Sequence, residues 1–230
     1  MPVLALNPRR LKAPWLATLA SLGVLAAALP AHAAPPLPAL NIDISQTSIS
    51  GISSGGFMTV QFQLAHSSIV KGVGVVAGGP FNCSKADVLR AVSSCSCTGE
   101  PSVPCAVSET STDVPALVAS TEEMAGKGLI DPTRNLAGHR ILTVAGAKDT
   151  LVPPPVARQL SAFYTALGVP GANLSPVSLP NAGHTMPTQN YGIACGLEKE
   201  PYIGKCAYDS AREILGWTYG KLAAAGSKPA

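Results

Sequence analysis

The apolar positions along the chain alternate between two periods. The pattern predicts strands at 47–52, 72–79, 140–147 and 174–179, of which 72–79 reads as a short buried strand and 140–147 as a near-continuous apolar one. Between these strands the apolar residues recur three or four positions apart, which is typical of amphipathic helices. Because buried strands alternate with helices, the pattern predicts an α/β fold, with a mostly parallel sheet flanked by helices.

Four helices are predicted from this spacing. The first, over 55–66, directly follows the first strand, and its face carries Phe57, Val60, Gln61 and Leu64. The second, over 112–126, has a capping candidate among 111–113. The apolar positions that mark the other two are Val156, Leu160, Phe163, Tyr164 and Leu167, and then Ala211, Leu215, Thr218 and Leu222 after Asp209. The segment 80–110 is too polar and too broken for regular structure, so we expect a long loop there.

The N-terminal segment has the features of a secretory signal peptide. A basic start at 9–12 precedes an apolar stretch at 13–29, and the small-x-small sequence at 31–33 predicts cleavage before Ala34. A membrane anchor is the alternative, but the apolar run is short for a span and Pro30 follows it. We therefore expect a secreted or periplasmic protein whose mature chain, residues 34–230, forms one α/β domain.

Removal of the signal peptide changes the charge balance. The chain loses three of its 16 Lys and Arg residues and none of its 13 acidic residues, so the formal net charge becomes zero. No basic stripe remains, which excludes nucleic acid and anionic membranes as expected partners. No membrane anchor is expected after cleavage.

The cysteines are even in number and all lie in the mature chain: Cys83, Cys95, Cys97, Cys105, Cys195 and Cys206. In an exported protein this favours three disulfides. Proximity in the sequence suggests Cys195 with Cys206, Cys83 with Cys95 and Cys97 with Cys105. A four-thiolate zinc site is the alternative, but paired C-x-x-C spacings are missing, so no metal site is expected.

Residues 51–55, GISSG, form a G-x-S-x-G pattern between a predicted strand and a predicted helix. In that context the pattern indicates a nucleophile elbow, a sharp turn that exposes the hydroxyl of Ser53 at the top of the sheet. We expect Gly51 and Gly55 to let neighbouring backbone approach. The Ser54 N–H lies where it can donate to an oxyanion, beside the positive end of the helix dipole.

A serine hydroxyl is a weak nucleophile without a base, so the elbow requires a histidine. His184 follows its strand at the end of the sheet where Ser53 is expected, whereas His66 ends a helix and His139 precedes a strand. Asp149 directly follows another strand and can orient the imidazole. A helix-capping aspartate and a loop histidine are the alternative interpretations. The order Ser53, Asp149, His184 matches that of α/β-hydrolases.

Several segments carry a resemblance to a known family: SGISSGGFM, GVVAGGPFNC, GAKDTLVPP, AGHTMPT and PYIGKCAYDSAREILGWTYGKL. Together they resemble the secreted polyhydroxybutyrate (PHB) depolymerases, whose catalytic domain is a circularly permuted α/β-hydrolase. The similarity spans roughly residues 38–222. It implies that Ser53 is the nucleophile, that Asp149 and His184 are its partners, and that the substrate is a polyester of 3-hydroxyalkanoates or its oligomers.

The resemblance also implies that this chain carries only the first portion of the family's domain. In that family a second portion follows, with an oxyanion loop and a substrate-stacking tryptophan. Without it, we expect the strand at 47–52 to form an exposed edge of the sheet. Three alternatives stay open: a second chain or dimer partner completes the domain, the truncated product is weakly active or inactive, or a compact hydrolase works alone.

The sequence thus predicts a secreted serine esterase that hydrolyses PHB or its oligomers through an acyl-enzyme and uses no cofactor. Phe57, Phe81 and Met186 are the candidates for its acyl pocket. The alternative from another class is a truncated, inactive hydrolase that binds a polymer or a partner protein. Further alternatives are a feruloyl or acetyl esterase and a serine peptidase of the prolyl-oligopeptidase type.

Overall fold

The computed structural model describes residue 38 and residues 40–222. The chain divides into two units, residues 1–41 and 42–230, and the description below concerns the second. The predicted signal peptide and its cleavage site lie outside the described residues.

The second unit is built on a four-stranded parallel sheet in the order β1-β2-β3-β4. Its strands are β1 (Thr47–Ile52), β2 (Val70–Val76), β3 (Arg140–Gly146) and β4 (Leu174–Leu179). This arrangement confirms the predicted parallel α/β sheet. The second strand ends three residues earlier than predicted, since Ala77 leaves the extended conformation with a φ of 46°.

Within residues 40–222 five α-helices accompany the sheet: α1 (Ser54–Ala65), α2 (Val88–Ser93), α3 (Val114–Gly126), α4 (Pro154–Ala166) and α5 (Ser210–Tyr219). Short 3-10 helices occupy Ile44–Gln46, Thr133–Gly138 and Gly171–Asn173. Carboxylates of Asp113 and Asp209 accept amide hydrogen bonds at the starts of α3 and α5. None of the helices in residues 40–222 is both long enough and apolar enough to cross a membrane.

The prediction that 80–110 lacks regular structure was wrong, because α2 lies inside it. The Asp87 carboxylate caps this helix by accepting from the amides of Leu89 and Arg90. Disulfides Cys83–Cys95 and Cys97–Cys105 close the same segment. With six residues and no fully buried side chain, α2 leaves no apolar periodicity to detect in the sequence.

The core lies on both faces of the sheet. On one face α1, α3 and α4 bury a large cluster that includes Val60, Leu64, Val73, Leu117, Ile141, Leu160 and Phe163. On the other face Ile214 of α5 packs in a cluster with Val76, Leu142 and Val144. Helix α5 comes close because β2 carries glycine at the contact: a Cβ on Gly74 would lie 2.5 Å from the Ile214 side chain.

A small second sheet of three short parallel strands, β5 (Met186–Thr188), β6 (Ile193–Ala194) and β7 (Ile203–Lys205), follows the main one. The disulfide Cys195–Cys206 joins the ends of β6 and β7. The three disulfides therefore have the pairing that proximity suggested. The small sheet was not predicted, since strands of two or three residues carry no readable period.

Strand β1 lies at the edge of the main sheet, where β2 is its only strand partner among residues 40–222. Its side chains are mostly half-buried. The edge position agrees with the expectation that this strand would be left open.

Candidate active site

Ser53 occupies a strained turn between β1 and α1. Its backbone has φ 58° and ψ −124°, a conformation that residues other than glycine rarely adopt. The Ser53 amide donates to the carbonyl of Val76 at 3.0 Å, so β2 holds the turn in place. Serine is a favoured helix cap, yet the Ser53 side chain does not cap α1. Its hydroxyl therefore stays available for another partner.

Two glycines allow α1 to approach the sheet closely enough to form this turn. A Cβ on Gly51 would lie 2.5 Å from the carbonyl group of Gly55, and one on Gly56 would lie 2.7 Å from the Val76 carbonyl oxygen. A Cβ on Gly55 would meet open space. We expected that position 55 must lack a side chain for the backbone to approach, and this was wrong. The close contacts are made by Gly51 and Gly56.

The start of α1 carries the candidate oxyanion donor. The amide of Phe57 donates to the Ser53 carbonyl at 2.9 Å and begins the hydrogen-bonding of the helix. The amide of Ser54 precedes it, at the positive end of the helix dipole. Ser54 N–H is thus positioned where negative charge on a neighbouring oxygen is stabilised.

Asp149 and His184 form a buried hydrogen-bonded pair. The Oδ2 atom of Asp149 lies 2.9 Å from Nδ1 of His184, and the two residues are only 4% and 5% exposed. The other carboxylate oxygen accepts from the amides of Leu151 (2.9 Å) and Val152 (2.7 Å). Asp149 therefore does not cap a helix: one of its oxygens holds the turn that follows it, and the other pairs with His184. With Nδ1 donating to the carboxylate, Nε2 is the imidazole atom left to accept a proton.

Ser53 and His184 line the same cavity, which has a volume of about 310 Å³ and is completed by Ile52, Thr98, Leu151 and Tyr202. No hydrogen bond joins the Ser53 hydroxyl to the imidazole among the described residues. The structure thus places Asp149 in contact with His184, and His184 in the cavity that Ser53 also lines. Catalytic hydrogen bonds are often formed only in the substrate complex.

A second cavity of about 520 Å³ adjoins Ser53 between α1 and the α2 segment. Its lining residues include Phe57, Met58 and Gln61 from α1, and Ala91 and Val92 from α2. Phe57 therefore lines a cavity beside Ser53, and Gln61 faces this cavity and not the core.

The other two pocket candidates lie elsewhere. Phe81 is 5% exposed and packs in the core cluster beneath α1. Met186 packs against the cluster around Ile214 on the opposite face of the sheet. Neither residue lines a cavity that adjoins Ser53. Both were chosen as apolar residues near a motif, and such residues are more often part of the core.

The other two histidines of residues 40–222 do not line these cavities. His139 is buried, with Nδ1 3.1 Å from the Gln63 amide nitrogen and Nε2 3.0 Å from the Ser67 carbonyl oxygen. Burial lowers the pKa of His139, although the hydrogen bond to Ser67 opposes this shift. His66 ends α1 at the surface and lies against the Phe62 ring. Both are structural histidines.

Glu198 is a site residue that the sequence reasoning missed. Its carboxylate accepts from the amide of Thr150 at 2.7 Å, from the Thr150 hydroxyl, and from the amide of His184 at 2.9 Å. Partial burial raises the pKa of this carboxyl, but the hydrogen bonds from Thr150 and His184 outweigh it and the net shift is downward. No motif marks Glu198, because its partners are two backbone amides and one hydroxyl on loops distant in sequence.

Comparison with known proteins adds two curated relatives. No protein-family model matches the chain. A poly(3-hydroxybutyrate) depolymerase from Delftia acidovorans is 41% identical over 192 residues, which cover 83% of this chain and 37% of the relative. A polyhydroxybutyrate depolymerase from Talaromyces funiculosus is 34% identical over 215 residues, covering 92% of this chain and 56% of the relative. The chain thus spans about a third to a little over a half of these relatives.

Two solved structures are similar as well. The crystal structure of PHB depolymerase from Penicillium funiculosum has a TM-score of 0.71 and 34% identity, covering 83% of this chain and 56% of that one. A PHB depolymerase in which a serine is replaced by alanine, complexed with an R3HB trimer, has a TM-score of 0.70 and 33% identity, covering 82% of this chain and 55% of that one. The fold and these matches define an α/β-hydrolase-like protein. In sequence and in fold, the chain is similar to the polyhydroxybutyrate depolymerase family.

Proposed function

We propose that this chain supplies the catalytic residues of a serine esterase that hydrolyses poly(3-hydroxybutyrate) or its oligomers. One observation carries the proposal. His184, which is paired with the buried Asp149, lines the same cavity as Ser53. Ser53 itself sits in a strained turn, and its hydroxyl does not cap α1. Strained backbone conformations cluster at functional sites.

The proposed chemistry is acyl transfer. Ser53 Oγ attacks the ester carbonyl carbon while His184 Nε2 takes the hydroxyl proton, and Asp149 stabilises the imidazolium that forms. The Ser54 amide donates to the oxyanion of the tetrahedral intermediate. His184 then returns the proton to the departing alkoxide, leaving Ser53 acylated. A water molecule, deprotonated by the same imidazole, attacks the acyl carbonyl carbon. The imidazolium then returns that proton to the departing Ser53 Oγ, which releases the hydroxy acid and restores the enzyme. This chemistry requires no cofactor.

The substrate class is supported by the cavity and by the relatives. The cavity between α1 and α2 presents apolar groups from Phe57, Met58 and Val92 together with the polar side chain of Gln61. Such a lining suits a short aliphatic chain with regularly placed ester oxygens. A similar PHB depolymerase is complexed with an R3HB trimer, and we propose an oligoester of that class as substrate here.

We propose further that the protein is exported. Each of the six cysteines is in a disulfide, and such bonds persist in oxidising compartments. The signal-peptide features of the first 33 residues point the same way.

The open edge of β1 supports a proposal about a partner for the main sheet. An edge strand has unpaired backbone groups with which another strand can pair. We therefore propose that a second chain or a second copy of this chain completes the sheet and adds an oxyanion donor. Without that donor the rate would be lower by about 10²–10³. The same open edge favours the second candidate function, a weakly active hydrolase that binds a polymer or a partner.

The experiment is hydrolysis of 3-hydroxybutyrate trimer and p-nitrophenyl butyrate by the purified protein, its Ser53→Ala variant and a Ser50→Ala control. Ser50 lies in β1 and is exposed. We expect hydrolysis by the wild type and the control and none by Ser53→Ala. Equal rates for Ser53→Ala and the wild type would exclude the mechanism. Preferential cleavage of feruloyl esters, acetyl esters or peptides would contradict the proposed substrate and favour those alternative functions.

A further inference from the structure

Glu198 connects the two loops that carry Asp149 and His184. Its Oε1 atom accepts from the backbone amides of both Thr150 and His184, at 2.7 Å and 2.9 Å, and Oε2 accepts from the Thr150 hydroxyl. Thr150 directly follows Asp149 in the chain. One carboxylate is therefore bonded to the backbone next to the acid and to the backbone of the base itself.

The surrounding structure fits this side chain closely. Gly183 precedes His184, and a Cβ at that position would lie 2.8 Å from Cγ of Glu198. The Gly183 amide also donates to the Cys195 carbonyl at 2.9 Å. Because the disulfide to Cys206 ties Cys195 to the small sheet, the segment that carries Glu198 is anchored beside the histidine loop.

The three bonds hold an ionised carboxylate. The bonds from Thr150 and His184 lower the pKa of Glu198 more than its partial burial raises it, so the side chain is charged at neutral pH. Hydrogen bonds to an ionised acceptor are roughly twice as strong as neutral ones. Glu198 does not line the cavity that contains Ser53, so it acts through the loops and not on the substrate.

We propose that Glu198 is a positioning residue for the reaction: by binding both loops it keeps the His184 imidazole aligned with Asp149 and with the Ser53 cavity. The inference rests on the proposed function, since it assigns Glu198 a part in that reaction. A misplacement of about 1 Å in a catalytic group can cost on the order of 10² in rate, which sets the size of the expected effect.

The test compares Glu198→Ala, Glu198→Gln and the control Glu200→Ala. Glu200 is an exposed glutamate two residues away. We expect Glu198→Ala to lower kcat by on the order of 10²-fold with KM nearly unchanged, since substrate contacts are untouched. In Glu198→Gln the amide oxygen can still accept from both backbone amides, while its NH₂ donates to the Thr150 hydroxyl. We therefore expect this variant and Glu200→Ala to keep most of the activity.

A second readout does not depend on activity. The His184 Nδ1 proton, bonded to Asp149, gives a downfield NMR resonance, which is assigned by its loss in Asp149→Asn. We expect it to broaden or disappear in Glu198→Ala and to persist in Glu198→Gln and Glu200→Ala. If the wild type has no esterase activity and the resonance still depends on Glu198, the proposed function fails while the positioning role stands.

Two results would overturn the inference. One is a folded Glu198→Ala variant with wild-type kcat and an unchanged resonance. The other applies if Glu198→Ala does not fold. Glu198→Asp then replaces it, because a carboxylate one methylene shorter cannot reach both loops, and we expect reduced kcat. A wild-type kcat in Glu198→Asp would contradict the positioning role.

Discussion

The carboxylate of Asp149 lies 2.9 Å from Nδ1 of His184, although the two residues are 35 positions apart in the chain. The contact follows from the sheet: β3 and β4 are parallel neighbours, so the loops after them emerge at the same edge. The amide of Lys148 donates to the Ala182 carbonyl at 2.9 Å, which joins the two loops before either catalytic candidate is reached.

Replacing Asp149 by asparagine should change the tautomer of the His184 imidazole. One side-chain oxygen of Asp149 already accepts from the amides of Leu151 and Val152. In Asp149→Asn the amide oxygen keeps those bonds, so the NH₂ group faces His184 Nδ1. The imidazole must then accept at Nδ1 and carry its proton at Nε2, where it cannot serve as base. We expect kcat for p-nitrophenyl butyrate to fall about 10⁴-fold.

The matched control for that variant is Asp209→Asn. Asp209 caps α5, and asparagine is an equally good cap, so we expect wild-type kcat and stability. An Asp149→Asn variant within tenfold of wild-type activity would remove Asp149 from the mechanism.

The glycines of the elbow should differ sharply in their tolerance of a methyl group. Gly51→Ala would place a Cβ 2.5 Å from the Gly55 carbonyl group, so α1 must move away and shift Ser53. We expect lower thermal stability and on the order of 10²-fold lower kcat. Gly55→Ala has open space in α1, and alanine is favoured over glycine in a helix by about 1 kcal/mol.

Thermal denaturation and ester hydrolysis of the two variants check this prediction. Unfolding of Gly55→Ala should occur at or above the wild-type temperature. Equal losses of activity and stability in both variants would show that the strand–helix approach does not depend on Gly51.

The buried His139 should make stability depend on pH. Burial lowers the folded-state pKa of His139 below its ordinary value of 6.5. Below pH 6.5 His139 is protonated in the unfolded chain but stays neutral in the folded protein. The free energy of unfolding therefore falls as pH decreases. The stabilising contribution is complete above pH 6.5 and is lost progressively towards the folded-state pKa.

Chemical denaturation at several pH values between about 7.5 and 5 measures this slope. His139→Gln should be less stable at neutral pH and show a shallower decline towards acid. His66→Gln is the control, because His66 lies at the surface, and it should keep the wild-type slope. An unchanged slope in His139→Gln would mean that His139 titrates alike in the folded and unfolded states.

The sequence predicted the main sheet well, and its two inner strands, β2 and β3, are buried along most of their length. Both bounds of β4 agree with prediction, and β1 through β3 agree within three residues, since continuous apolar runs between helices have few other interpretations. The elbow was readable for a different reason: its pattern imposes a strained turn, and Ser53 has the positive φ that such a turn requires.

Other parts of the site could not be read from the sequence. Glu198 acts by accepting backbone hydrogen bonds, and any carboxylate in a loop looks the same in sequence. The sequence also does not distinguish the apolar residues of a pocket from those of a core. Phe57 lines the cavity beside Ser53, whereas Phe81 is in the core. Packing between distant segments decides both cases.

Covalent labelling of the purified protein with a fluorophosphonate probe tests the central claim most directly, since only an activated serine reacts. We expect one adduct, located at Ser53 by peptide mass spectrometry, with no labelling of Ser53→Ala and slow labelling of Asp149→Asn. A folded wild-type protein that stays unlabelled, or that is labelled at another serine, would contradict the account.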